Sequence, residues 1–441
     1  MKIAIIGSGI AGLTSAWLLH RKHDVTVFEK NDYIGGHTHT IDLEKDGQAY
    51  AVDTGFIVFN DRTYPYFRAL MREVGVEWRD TEMSFSVRDP LSGLEYNGHN
   101  LNTLFAQRSN LFKPSFYRLL SGIVRFNKAA KLAYEKGGDA LDTVTLGEFI
   151  AEQNLSKDVS DYYLLPMVAA IWSASLQEAE QFPLGFFLRF FNNHGLLNIS
   201  DRPQWATIVG GSSAYIPKLT AGFADQIRLN SKISRVQRRD QEQDSVLIEF
   251  VDRQPETFDA VIFACHSDEA LDLLADPDAA ERDVLTNIPY QMNDVVLHTD
   301  IRLLPRAERA WASWNYLLHH GEQARTRPSS VTYNMNILQG IESPYTFCVT
   351  LNNTAAIQPD KIIGRYNYSH PVYSVASMAA RQRRQEINGH RQTYFTGAYW
   401  YNGFHEDGVR SAVDVARMLG SDWRSDLDTS AGLEPKSGTT T

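Results

Sequence analysis

The sequence predicts an α/β fold, in which a Rossmann-like dinucleotide-binding domain is interleaved with an α+β substrate domain. Three observations carry this. Residues 1–36 run strand, glycine turn, helix, strand; the βα rhythm then stops for a long mid-chain stretch; and a short strand, small residues and a helix return after residue 390. At 441 residues the chain exceeds one ordinary hydrophobic core, so more than one domain is expected.

The first element is an apolar run, Lys2–Ile6, followed by Gly7, Ser8, Gly9, Ile10, Ala11 and Gly12, a GxGxxG turn that opens a helix over 13–21. Gly7 makes the sharp turn, Gly9 lets backbone approach a pyrophosphate, and Gly12 lets the helix lie close to the strand. The free amides at the helix start, with Ile10 and Ala11 in the turn that leads into it, favour negative phosphates there. The second strand, Asp24–Phe28, ends at Glu29 and Lys30. A carboxylate twenty-two residues after Gly7 suits ribose hydroxyls and repels a 2′-phosphate, which argues against NADP.

Gly35 and Gly36 extend this unit into a double-glycine pattern. The pattern resembles the FAD-binding superfamily of amine oxidases, protoporphyrinogen oxidases and phytoene desaturases, which implies FAD. His37 stands where many of those relatives carry an arginine; it and His39 also read as polar loop residues. The stretch 51–60 resembles the family's aspartate-x-glycine segment near the flavin, which brings in Thr54, Gly55 and Phe56.

From 63 to about 204 the pattern is mostly helical. Residues 101–136 carry seven Lys and Arg against one acid, Glu135, although the whole chain has a formal charge of -10. The acidic balance disfavours nucleic acid as a partner. The basic stretch reads either as a face for anionic lipid, giving peripheral membrane contact, or as solvated faces of packed helices. Tyr162, Tyr163, Trp172, Phe186, Phe187, Phe190 and Phe191 read as core, some of them as the wall of an apolar tunnel.

Near 205 the chain returns to the cofactor domain. The stretch 209–219 resembles the family's glycine-pair loop and following helix; strands are expected at 226–229, 232–237, 246–250 and 258–265, with Ile233 near the adenine by resemblance. Strand-like runs at 294–299, 330–335 and 346–351 complete the substrate domain. The stretch 291–296 lacks the lysine that amine oxidases place near the flavin. His370 reads as a loop residue beside the site or as a structural histidine. Two cysteines, Cys265 and Cys348, show no CxxC or metal spacing, so no metal is expected.

The last element, a strand at 394–396 with Gly397, then 403–409 and a helix over 410–419, resembles the family's C-terminal flavin motif. The resemblance implies Asp407 as N-cap, Gly408 and Val409 as backbone contacts, and Tyr399, Phe404 and His405 as residues lining the catalytic side. No cysteine lies in this segment, which favours noncovalent FAD. GRYNYSHPVYS and GAYWYNGFHEDGVRSA are similar to a bacterial subgroup associated with cyclopropane-type fatty-acid synthases, which implies modified acyl chains as substrates.

The expected domains are 1–62, 205–266 and 390–424 for FAD, 63–204 and 267–389 for substrate, and a disordered tail at 425–441. The expected activity is removal of hydride from a C–H bond of an apolar or acyl-lipid substrate, with oxygen or another acceptor taking the electrons. Two alternatives stand beside it: a peroxide-producing flavin amine oxidase, and a redox-silent flavoprotein that binds lipid or a partner enzyme. No signal peptide or eighteen-residue apolar run is seen, so the cytoplasm is expected, with peripheral contact at the inner membrane.

Overall fold

The structure, a computed structural model, describes residues 1–137, 139–198, 201–239, 245–424 and 427. Strands β1 (Lys2–Ile6), β2 (Asp24–Phe28), β3 (Ile227–Arg228), β4 (Ala260–Phe263) and β5 (Thr393–Phe395) form one sheet in the order β3-β2-β1-β4-β5. Every pairing in it is parallel. Such a sheet is covered on both faces, which is why β1 and β4 read as continuous apolar runs. Alternate side chains serve different cores. Ile3 and Ile5 pack with Leu13, Val409 and Val413, whereas Ala4 and Ile6 pack with Phe250, Phe258 and Leu285.

A three-stranded antiparallel unit, Ile233–Arg239, Ser245–Phe250 and Glu256–Phe258, sits between β3 and β4 in the chain. A separate seven-stranded sheet runs Ile362–Pro371, Tyr290–His298, Cys348–Leu351, Val331–Asn334, Trp314–Leu317, Phe85–Arg88, Glu95–Asn97. It is antiparallel except between Trp314–Leu317 and Phe85–Arg88. Helices Pro114–Lys136, Leu165–Trp172 and Leu184–Asn193 share one core through Phe126, Val168, Phe187 and Phe191. Full burial of each of those side chains contributes about 1.5–3 kcal/mol.

Two segments expected in the substrate domain pack onto the parallel sheet. Tyr64, Tyr66, Phe67 and Leu70 pack into the core that holds Ile3 and Ile5, and Ala270, Val284 and Leu285 into the one that holds Ile6. The segments just after 63 and 267 therefore join the parallel sheet by contact, because their apolar faces match its two sides. The mid-chain stretch also yields strands Trp78–Thr81, Phe85–Arg88 and Glu95–Asn97, too short to interrupt a helical pattern visibly. Apart from Leu427, the tail expected at 425–441 lies outside the described residues.

The C-terminal helix spans His405–Met418, so it starts five residues before the expected 410. Asp407 is not its N-cap. Phe404 holds that position, and Asp407 reaches back from the first turn to accept the Phe404 amide at 2.8 Å. An acid three residues into a helix satisfies an otherwise orphaned donor and complements the dipole, and in sequence it is easily taken for the cap itself. Glu406, in the same turn, is buried and accepts the amides of Tyr66 and Phe67 at 3.0 and 2.7 Å. That carboxyl joins two helix N-termini.

Candidate active site

The loops that leave the carboxyl ends of β1, β2, β4 and β5 converge, as they do in open α/β sheets that bind ligands. Gly7 has φ 110°, and a Cβ there would lie 2.8 Å from the Ala264 carbonyl oxygen. At Gly12 a Cβ would lie 2.0 Å from the Gly7 oxygen, whereas at Gly9 it would meet nothing within 4 Å. The turn is thus closed on its protein side and open on the other. Glu29 is buried, and its Oε2 accepts from Ser8 N at 3.0 Å and Ser8 Oγ at 2.7 Å while Oε1 accepts from Asn31 N at 2.9 Å. These bonds fix the carboxylate beside the glycine turn. Gly36, with φ 60°, would set a Cβ 3.3 Å from the Gly9 Cα.

One cavity of about 1030 Å³ begins in this groove and continues between the two sheets. Gly7, Gly9, Ile10, Ala11, Glu29, Lys30 and Ile233 line the groove, together with Ala264, Cys265 and His266 from the end of β4. Gly35, Gly36, His37, Gly55, Phe56, Gly397, Tyr399, Phe404 and His405 also line it, so sixteen of the residues singled out from sequence meet in one space. Beyond them the walls turn apolar: Phe85, Met167, Ile171, Trp172, Leu196 and Trp314 are typical. The cavity's carboxylates, Glu29, Glu269 and Asp272, all belong to the groove segments or to the helix after β4, and the apolar chamber walls contribute none among the described residues.

His405 stacks on Phe56, ring centroids 3.6 Å apart, with its Nε2 2.8 Å from Thr38 Oγ1. Burial pushes its imidazole down to about 3, so it is neutral. His37 lies beside Tyr368 and His370 at centroid distances of 5.1 and 5.4 Å, and burial holds its pKa well below the usual range. Phe404 stacks on Phe190 at 5.3 Å. Among the described residues, His37 Nε2, Trp314 Nε1 and the hydroxyls of Tyr373 and Tyr399 are buried in this wall with no hydrogen-bond partner. Unpartnered buried polar atoms are rare in folded proteins, and those facing a cavity call for a polar ligand.

Five expected site residues do not line the cavity. Gly12 acts through packing alone. Thr54 is buried, bonded to the His39 carbonyl at 3.1 Å and to the Tyr368 hydroxyl at 2.7 Å. Asp407 caps its own helix; Gly408 permits close helix contact, since a Cβ would lie 2.7 Å from Ile10 Cγ2; and Val409 is core. The helix therefore presents Phe404 and His405 to the cavity, and the Val409 side chain faces the core one turn farther in. Sequence reasoning missed Tyr290, which stacks on His266 at 4.1 Å, and it missed His266 itself. The position of His266 just after an apolar parallel strand was the available signal. From the strand Tyr290–His298 only Tyr290 reaches the cavity, and no lysine does.

An open glycine turn, a fixed carboxylate at the end of β2 and unpartnered polar atoms farther along match what FAD requires. Glu29 would hold its ribose, the Gly7 to Gly12 turn its pyrophosphate, and the His37, Tyr399 and His405 region its ring system.

The family described as flavin containing amine oxidoreductase matches residues 10–334. A 1-hydroxycarotenoid 3,4-desaturase of Flavobacterium sp. (strain P99-3) is 43% identical over 86 residues, 19% of this chain and 16% of that protein. An L-amino-acid oxidase of Siganus canaliculatus is 23% identical over 281 residues, 57% of this chain and 46% of that protein. The chain thus spans less than half the length of these relatives. Among solved structures, a CLA-producing fatty acid isomerase from P. acnes superposes with TM-score 0.67 at 17% identity, covering 95% of this chain and 98% of that one. At that identity the likeness is one of fold.

Proposed function

The chain belongs to the flavin-containing amine oxidoreductases, FAD enzymes, and on that premise we propose that it oxidises a C–H bond of an apolar, acyl-chain-like substrate. The observation that carries this reading is the chamber. It is continuous with the dinucleotide groove, lined mainly by aromatic and aliphatic side chains with His194 and Arg202 among them, and among the described residues has no carboxylate to pair with an ammonium group. FAD, when bound, supplies the hydride acceptor. The protein's own part is to hold the chain and exclude water. Trp172 packs against Phe182, Phe186 and Phe190 at 5.0, 5.3 and 4.7 Å, which makes a rigid wall. Neutral His405 and the uncharged phenol of Tyr399 keep charge away from the reacting carbon. Oxygen or another oxidant takes the electrons, and the protein works peripherally at a membrane on the cytoplasmic side.

Anaerobic absorbance titration with separate pools of unsaturated or branched acyl phospholipids and of amines tests this. Bleaching by the lipid pool, with a product lighter by two hydrogens, is the expected result. Bleaching by amines alone overturns it. That second reading draws on the aromatic pair Tyr399 and Phe404 in the cavity wall and would release peroxide with amines. A product of unchanged mass identifies isomerisation instead.

A further inference from the structure

We propose that the outer face of the segment 101–136 docks on an anionic phospholipid bilayer and holds the chamber close beneath the membrane surface. The helix Pro114–Lys136 buries Phe116, Leu119, Phe126 and Ala130. Its opposite face exposes Tyr117, Val124 and Leu132. Just before it, Leu101 and Phe112 stand 75% and 85% exposed. Leu111, Phe112, Tyr117 and Arg118 surround one shallow surface depression, so these side chains form a patch. Large exposed apolar groups in a cluster mark an interaction surface.

The charge around the patch selects the partner. Seven Lys and Arg fall in this segment of a chain whose formal charge is -10. Among the described residues none of them is paired with a carboxylate; Arg108 donates to the Phe105 carbonyl, and Arg125 to the Gln153 and Asn154 carbonyls. Exposed aromatic and aliphatic groups set among unneutralised cations suit the interface of an anionic membrane. No helix among the described residues is long and apolar enough to cross one, so the contact lies on the surface.

The patch also backs onto the cavity. Tyr96 lines the chamber, packs on Phe116 at 6.0 Å, and Phe116 packs on Phe105 at 5.4 Å; Phe105 in turn meets Tyr117 at 6.1 Å. Two rings thus separate the chamber wall from the docking face. The proposal rests on the acyl-chain reading for its purpose, while docking itself is independent of turnover.

The test is co-sedimentation of the FAD-loaded protein with phosphatidylcholine vesicles and with vesicles that also contain phosphatidylglycerol, at low and high salt. Binding is expected to the anionic vesicles and to weaken with salt. Lys113→Gln, Arg118→Gln and Lys128→Gln together should lower partitioning about a hundredfold. Phe112→Ser and Leu101→Ser should each lower it by about tenfold or more. Flavin content and unfolding temperature should not change in these exposed variants. Failure to bind either vesicle overturns the proposal, as does equal binding to both that ignores the charge variants. A dimer abolished by Phe112→Ser, with vesicles left unbound, overturns it in favour of a second copy on this face. Flavin reduction by the same lipids in detergent micelles, measured in parallel, reports on the substrate reading alone.

Discussion

Replacing Gly9 by Ala should weaken cofactor binding without destabilising the protein, whereas replacing Gly12 by Ala should destabilise the fold itself. Gly9 has φ -68° and ψ 178°, which alanine adopts freely, and an added Cβ meets no protein atom within 4 Å. Its methyl group would project into the groove beside the glycine turn. Crowding a close-packed contact costs about 1–3 kcal/mol, which weakens FAD binding by about five- to 150-fold. At Gly12 the same methyl would lie 2.0 Å from the Gly7 oxygen and 3.2 Å from the Ala264 Cβ. Helix and strand must separate to admit it, at a cost of about 3 kcal/mol or more out of a total stability of about 5–15. The assay is flavin-to-protein absorbance ratio and FAD dissociation constant for each variant, with unfolding in urea measured on the apoproteins. A Gly9→Ala protein with unchanged FAD affinity would refute the assignment of the groove. One as unstable as Gly12→Ala would refute the reading of Gly9 as open to the cavity.

Three further outcomes follow from the same geometry. Glu29→Gln replaces an acceptor oxygen at the end of β2 by a donor and should weaken FAD binding by about ten- to a hundredfold, checked by flavin fluorescence titration. Arg238 and Glu281 form a bonded pair whose side chains are each 1% exposed, so Arg238→Ala should cost about 3–5 kcal/mol in urea unfolding and leave FAD affinity alone. Burial pushes His194, His298 and His370 down to about 4 and His405 to about 3. Because the unfolded histidines take up protons near 6.5 and the folded ones do not, this stability is complete above 6.5 and lost as pH falls toward 4. Each histidine costs about 2 kcal/mol at pH 5. His298 accepts the Asp300 amide and bonds Thr350, clear of the cavity; His298→Gln should flatten the fall of unfolding temperature with acidification.

The placement of the glycine turn and of Glu29 was readable because their geometry is local: residues 7 to 29 are contiguous in sequence, and their spacing is set by one strand, one turn and one helix. The C-terminal helix was readable as an element but not in its start. Asp407 carries the signature of a cap, whereas a phenylalanine as N-cap carries none. The chamber was the least legible part. Phe85, Met167, Leu196 and Trp314 come from four separate segments, and only sheet pairings such as Trp314 with Phe85 bring them together. An aromatic residue that lines a cavity looks the same in sequence as one that fills a core, which left Trp172 and Phe190 open between the two.

The strands of the parallel sheet come from three separated stretches of the chain, within residues 2–28, within 227–263 and at 393–395. A ribosome delivers these pieces in that order, so the glycine turn is made before β5 and the helix that packs on it. Until then Ile3, Ile5 and Leu13 lack the cover that Val409 and Val413 later provide. A nascent chain stalled before residue 393 therefore offers chaperones an uncovered hydrophobic face.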